Sequence, residues 1–147
     1  MAALYIHIPF CKTRCNYCDF YKSTSCAKTE DYIEALEREM EYRRGYFGDT
    51  PVDTVFFGGG TPSLLPPALL QRLIDKARSL WNLEGVSEIT VEANSDDITE
   101  HYLDELARTD INRLSFGVQS FIDRDLKLLG RRHNAQQAVE AIRAAQA

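Results

Sequence analysis

Val52-Asp53-Thr54-Val55-Phe56-Phe57-Gly58-Gly59-Gly60, with residues 66–81 behind it, decides the fold of this chain. Residues 52–57 are rich in β-branched and aromatic side chains, which suit a pleated, half-buried surface, so they read as a strand. The glycine triplet stops it. Pro66-Pro67 then suits the first turn of a helix expected over residues 67–81. On that helix Leu69, Leu70, Leu73, Ala77, Leu80 and Trp81 share one face. A strand running into an amphipathic helix is a βα unit, and the pattern recurs on both sides.

Upstream, Leu4-Tyr5-Ile6-His7-Ile8 alternates as a strand does, and a helix is expected over residues 29–46 with Ile33, Leu36 and Met40 as its apolar stripe. Gly45 and Gly48 help to end it. Downstream, residues 88–93 read as a third strand and Thr99 as the cap of a helix carrying Tyr102, Leu103 and Leu106. Residues 113–118 read as a fourth strand, and short helices follow over 123–129 and 135–147. The βα unit thus occurs four times, and strands joined by helical crossovers pair in parallel. Such an α/β sheet is either doubly wound or part of a (β/α)8 barrel, and the pattern does not choose between them. The chain closes inside an amphipathic helix with no further strand, which reads as a truncated domain.

The 147 residues suffice for one compact domain, and 44% apolar with 27% charged residues is the composition of an ordinary globular protein. A net charge of −5 gives no electrostatic reason to expect nucleic acid or an anionic membrane as partner. No apolar run approaches the length of a membrane span. Residues 1–10 read as a strand and not a signal peptide, since they lack a basic start and are interrupted by His7 and Pro9. The expected compartment is therefore the cytoplasm, where thiols stay reduced and the four cysteines serve as ligands or buried thiols, not disulfides.

Cys11-Lys12-Thr13-Arg14-Cys15-Asn16-Tyr17-Cys18 has the spacing C-x3-C-x2-C, which in a tight loop aims three thiolates at one small volume. Thiolates select soft metals. Two holders fit equally well at this point: a four-iron cluster whose fourth iron is left open for a ligand, or zinc with Cys26 or His7 as fourth ligand. Three thiols with no metal is the remaining alternative.

The segment Tyr5-Ile6-His7-Ile8-Pro9-Phe10-Cys11, followed by Cys15 and Tyr17-Cys18-Asp19-Phe20, resembles the start of the radical S-adenosylmethionine (SAM) superfamily. Four later stretches agree in order and spacing: residues 57–62, 88–94, 112–121 and 129–133. The likeness is greatest to the branch of HemW-type haem chaperones and oxygen-independent coproporphyrinogen III oxidases. It implies a partial (β/α) TIM-like barrel, of which residues 1–147 form the N-terminal part in about four βα units, within a protein more than twice as long. It also implies a [4Fe-4S] cluster on Cys11, Cys15 and Cys18. The reduced cluster would pass an electron to SAM, giving methionine and a 5′-deoxyadenosyl radical.

The resemblance assigns further residues. Gly59, Gly60 and Thr61 would meet the methionine amino end of the cofactor. Glu92 and Gln119 would contact SAM, Gln119 at the ribose, and Arg131 would face its carboxylate. Tyr5 and Tyr17 would pack on the cluster or cofactor. Taken as residues alone, the triplet suits a close backbone approach or a plain turn, Glu92 a solvated strand end, and Arg131 a helix-terminal cation; Arg132 suits that last role better. No side chain is assigned as a catalytic acid or base. His7 could hydrogen-bond near the cluster, His133 is expected at the surface or on the substrate side, and Cys26 as a free, semi-buried thiol. Ala93-Asn94-Ser95 departs from the family pattern, which commonly has proline after the asparagine.

Within the branch, oxidases commonly carry a fourth cysteine where this chain has Phe20, so the resemblance favours the haem chaperones. The implied partners are SAM, haem or coproporphyrinogen III, and a haem-acceptor protein. Oxidative decarboxylation of coproporphyrinogen III is the alternative activity, and a zinc-stabilised interaction module a third reading.

Overall fold

The computed structural model describes residues 2–147. Four strands, β1 (Ala2–Ile8), β2 (Val52–Gly59), β3 (Glu88–Ala93) and β4 (Arg113–Phe116), form one parallel sheet in the order β1-β2-β3-β4. Helices α1 (Thr29–Tyr42), α2 (Pro67–Leu80) and α3 (Glu100–Leu106) make the crossovers, and α4 (Asp123–Leu128) and α5 (Ala135–Gln146) follow β4. Single 3₁₀ turns at Pro62–Leu64 and Ser95–Asp97 follow β2 and β3. A doubly wound sheet reverses its strand order at a switch point; this one does not, so it is an arc of a (β/α) barrel.

Side-chain alternation divides the sheet into two faces. Ile6, Ile8, Val55, Phe57, Ile89 and Val91 point to the helices and are almost fully buried there with Ile33 and Met40 of α1 and Leu70, Leu73, Ile74 and Ala77 of α2. Each such aliphatic or aromatic side chain contributes about 1.5–3 kcal/mol on burial. Across the opposite face, the register sets Tyr5 beside Phe56, Phe56 beside Thr90, and Glu92 beside Ser115. The helix side is therefore the dry core, and the other face turns polar toward the C-terminal strand ends.

Among the bounds that differ from the sequence reading, three have a structural cause. Helix α1 stops at Tyr42, because residues 41–46 place no side chain in the core and the backbone tightens into i→i+3 bonds from Arg44 to Glu41 and Tyr46 to Arg43. Strand β4 stops at Phe116, where Val118 N–H donates to Phe116 C=O and Ser120 N–H to Val118 C=O, curling the chain off the ladder. Strand β2 runs on into the glycines, its last pairing being Gly59 with Ile8. Thr99 does cap α3, accepting from the Tyr102 N–H at 3.1 Å.

Candidate cofactor and metal site

At the C-terminal edge of the sheet, where parallel α/β folds place their ligands, lies a cavity of about 340 Å³. The loop after β1 forms one wall with Cys11, Cys15, Tyr17 and Cys18. The ends of β2, β3 and β4 supply Gly59-Gly60-Thr61, Glu92 and Gln119, and Arg131 enters from behind α4. Of the eleven residues that the sequence reading assigns to cofactor or metal, all but Tyr5 line this one cavity. Tyr5 stacks on Phe56 with ring centroids 6.2 Å apart, beside Glu92 but outside the cavity wall.

The cysteine loop is anchored through its backbone. Ser23 N–H donates to Pro9 C=O at 2.7 Å and Cys11 N–H to Ser23 C=O at 2.9 Å, closing the loop's neck. Cys11 is buried and its Sγ accepts from the Thr61 hydroxyl at 3.6 Å. Burial pushes the Cys11 thiol up, against the opposing pull of the Thr61 hydrogen bond and the Lys22 charge, and the neighbouring Cys18 and Cys15 add to the rise. The Lys22 ammonium donates to the Cys18 carbonyl.

Arg131 is the hub of the opposite wall. Its Nη2 donates to Asn94 Oδ1 at 2.5 Å and to Gly117 C=O at 2.6 Å, spanning the ends of β3 and β4. Its Nη1 lies 3.4 Å from both Cys15 Sγ and the Tyr17 hydroxyl, and its buried Nε has no protein partner. Burial raises the Tyr17 phenol above its ordinary range, while Arg131 opposes the shift. Asn94 also donates to Thr61 Oγ1 at 3.2 Å, so the guanidinium, the amide, the threonine and Cys11 form one chain of contacts. Glu92 accepts from Gly59 N–H at 3.1 Å, which aims its carboxylate along the β2 exit.

The glycines are explained differently from the sequence reading. Gly59 has φ +113°, and a Cβ there would sit 2.4 Å from the His7 ring. A Cβ on Gly60 would meet the Phe10 carbonyl at 2.7 Å. Close passage of the β1 exit therefore accounts for both, although both still line the cavity. Gln119 is the one non-glycine residue with positive φ among the described residues, at 70°, and it carries its side chain to the cavity rim.

Two expectations fail. His133 is buried at 3% exposure, not at the surface: its Nε2 faces Val118 C=O at 3.1 Å under the β4 exit. Cys26 is exposed, not semi-buried, because the turn before α1 lifts it off the core. His7 faces the Tyr5 hydroxyl through Nδ1 and the Tyr21 carbonyl through Nε2. Asn94 escaped the sequence reading as a site residue, although its i+2 relation to Glu92 at a strand exit puts both on one face.

The donor set fits a soft-metal group. Among the described residues no three His, Cys, Asp or Glu side chains close on a single point. A four-iron cube takes each thiolate on a separate iron, so it calls for thiols around a volume, as here, and not at one centre. The unpartnered Arg131 Nε and the ring of polar strand ends suit a second, polar ligand beside it.

The fold is thus an arc of (β/α) barrel that gathers three thiols and a polar cavity at its C-terminal edge. Residues 5–147 match the model of the Radical SAM superfamily, and the chain belongs to that superfamily. It is 39% identical over 145 residues to the haem chaperone HemW of Escherichia coli, covering 97% of this chain and 38% of that one. Against the haem chaperone HemW of Bacillus subtilis it is 43% identical over 135 residues, covering 90% of this chain and 36% of that one. The solved structure of coproporphyrinogen III oxidase HemN of Escherichia coli, a radical SAM enzyme, superposes with a TM-score of 0.87 at 32% identity, over 99% of this chain and 34% of that one. The chain thus spans 34–38% of the length of these relatives. Among the described residues no helix is long and apolar enough to cross a membrane.

Proposed function

We propose that the protein holds a [4Fe-4S] cluster on Cys11, Cys15 and Cys18, binds SAM in the adjoining cavity, and serves in haem transfer as a HemW-type chaperone. The observation that carries the cofactor reading is the single cavity in which the three thiols meet Gly59-Gly60-Thr61, Glu92, Gln119 and Arg131. When bound, the cluster supplies the electron for cleaving the sulfonium of SAM. The protein's own groups orient the ligand. The Arg131 fork is the cation for its carboxylate, held in place by Asn94 and Gly117. Glu92 accepts from an amino or ribose hydroxyl group, and Gln119, turned outward by its left-handed backbone, reaches the ribose. Thr61, pinned between Asn94 and Cys11, sets the distance between ligand and cluster loop.

The chaperone reading rests on the relatives of 39–43% identity that carry that name and on Phe20 at the position where oxidases have a further cysteine. The fold match to HemN supports coproporphyrinogen III oxidation as second reading. Zinc loses support: His7 faces protein partners through both ring nitrogens, and Cys26 is exposed on the turn before α1. A compartment that keeps thiols reduced, the cytoplasm in the present reading, suits a cluster of this kind.

The test incubates the reconstituted full-length protein with haem and, separately, with coproporphyrinogen III. Stable haem binding and transfer to an apo-acceptor without porphyrinogen turnover is the expected result. Formation of protoporphyrinogen would replace the chaperone reading with the oxidase one. Cys15→Ser should abolish the cluster's visible absorbance, and retained absorbance would remove Cys15 from the ligand set.

A further inference from the structure

Asp97 lies in the 3₁₀ turn after β3, and its side chain is 2% exposed. Nothing in the cofactor reading uses it. A carboxylate so buried must be paired, and it is paired three ways. Lys12, the residue after Cys11, donates to Oδ1 from the cysteine loop. Arg132, the residue after Arg131, reaches Oδ1 at 3.5 Å and also pairs with Asp96. The Ser63 hydroxyl donates to Oδ2 at 3.1 Å, and that same hydroxyl accepts the Asn94 N–H at 3.3 Å.

The three partners come from three separate places, the loop after β1, the turn after β2 and the segment after α4, and Asp97 holds them from the exit of β3. Each stands next to, or bonds to, a residue of the cavity: Lys12 follows Cys11, Arg132 follows Arg131, and Ser63 bonds to Asn94. We propose that Asp97 is a positioning residue, a buried clasp that fixes the cysteine loop against Arg131 before any cofactor arrives. The clasp falls in the loop where this sequence departs from the family's Asn-Pro pattern. The proposal rests on the cofactor reading only for its purpose, since the clasp itself is made wholly of protein groups.

Preorganisation of this kind reduces the ordering that ligand binding would otherwise require. It has a consequence in the metal-free protein. With Lys12 tied to Asp97, the loop holding Cys11 and Cys15 opens rarely; untied, it opens more often. Loss of the Lys12 cation by itself would disfavour thiolates and slow alkylation, so acceleration in Lys12→Met reports loosening and not a charge effect, whereas in Asp97→Asn the lost anion adds a charge effect of the same sign.

The experiment uses the full-length apo-protein and residue-resolved alkylation by iodoacetamide, read by mass spectrometry, with exposed Cys26 as internal reference. Asp97→Asn keeps a partner for Ser63 but weakens the hold on Lys12 and Arg132. Lys12→Met removes the loop tether alone and, with Lys12 45% exposed, leaves the core intact. In both variants Cys11 and Cys15 should react about fivefold faster or more, while Cys26 is unchanged. Asp97→Glu should restore part of the protection. Equal rates at Cys11 and Cys15 in wild type and Lys12→Met would overturn the clasp. Amide hydrogen exchange accelerated to the same degree across β2 and α2 would overturn it too, as it would report global loosening. Iron content after reconstitution tests the cofactor reading separately, so the failure of one is distinguishable from the failure of the other.

Discussion

Gly59→Ala should destabilise the protein mainly through His7, and the structure gives the size. At φ +113° an added Cβ introduces backbone strain of about 1–3 kcal/mol. The same Cβ would lie 2.4–2.9 Å from three atoms of the His7 ring, so the ring must leave. In leaving it gives up its contacts to the Tyr5 hydroxyl at 3.1 Å and the Tyr21 carbonyl at 3.2 Å. Each hydrogen bond contributes about 1 kcal/mol, which brings the total to about 3–5 kcal/mol. With ΔΔG of this size Tm should fall by roughly 6–20 °C, at about 2–4 °C per kcal/mol for a 150–250-residue unit. The assay is urea denaturation of the full-length protein as a double-mutant cycle with His7→Ala. In the His7→Ala background the ring is absent, so Gly59→Ala should cost only the strain term, leaving a coupling of about 2 kcal/mol. An equal cost in both backgrounds would refute the reasoning and return the glycine to a role in ligand approach alone.

Arg131→Lys keeps the charge but not the fork, so one ammonium cannot serve Asn94, Gly117 and Cys15 together. Loss of one charge-assisted hydrogen bond is worth about 1.5–3 kcal/mol, and SAM affinity of the reconstituted protein should fall about tenfold or more, read by equilibrium dialysis. Unchanged affinity would remove Arg131 from the ligand site. On the far side of the core, hydrogen bonds from Arg72 at 2.8 and 2.6 Å hold the Glu37 carboxyl below its usual range, tying α1 to α2. A lowered folded pKa means that this contribution is full above the unfolded value of ~4.3 and is lost as pH falls through the folded one. Arg72→Met should therefore destabilise the protein slightly at pH 7 and progressively less below pH ~4 in urea titrations, whereas a cost constant across that range would contradict the pairing.

The strands were legible because β-branched and aromatic residues alternate along them, and α2 because six apolar positions repeat at helical spacing. Ile74 was missed there, yet it is fully buried, because the sheet covers a wider stripe than the spacing suggested. The sheet order was not legible, since alternating strands and helices are common to barrels and doubly wound folds; only the register of β1 to β4 decides it. Within the site, the cysteines were read from motif spacing and Arg131 from the family resemblance. Asp97, Ser63 and Lys12 were not, because their meaning comes from contacts spanning 34 and 85 residues of chain. His133 was misplaced for a related reason: a histidine beside two arginines reads as solvated, and only the β4 exit folding over it supplies the Val118 carbonyl that buries it.

The central claim is that Cys11, Cys15 and Cys18 hold an iron–sulfur cube beside a polar ligand cavity. Its most direct measurement is iron and acid-labile sulfide per chain after anaerobic reconstitution of the full-length protein, with Cys15→Ser in parallel. About four irons and four sulfides in the wild type, and few in the variant, is the expected result. About one tightly held zinc, no labile sulfide and no iron would contradict it.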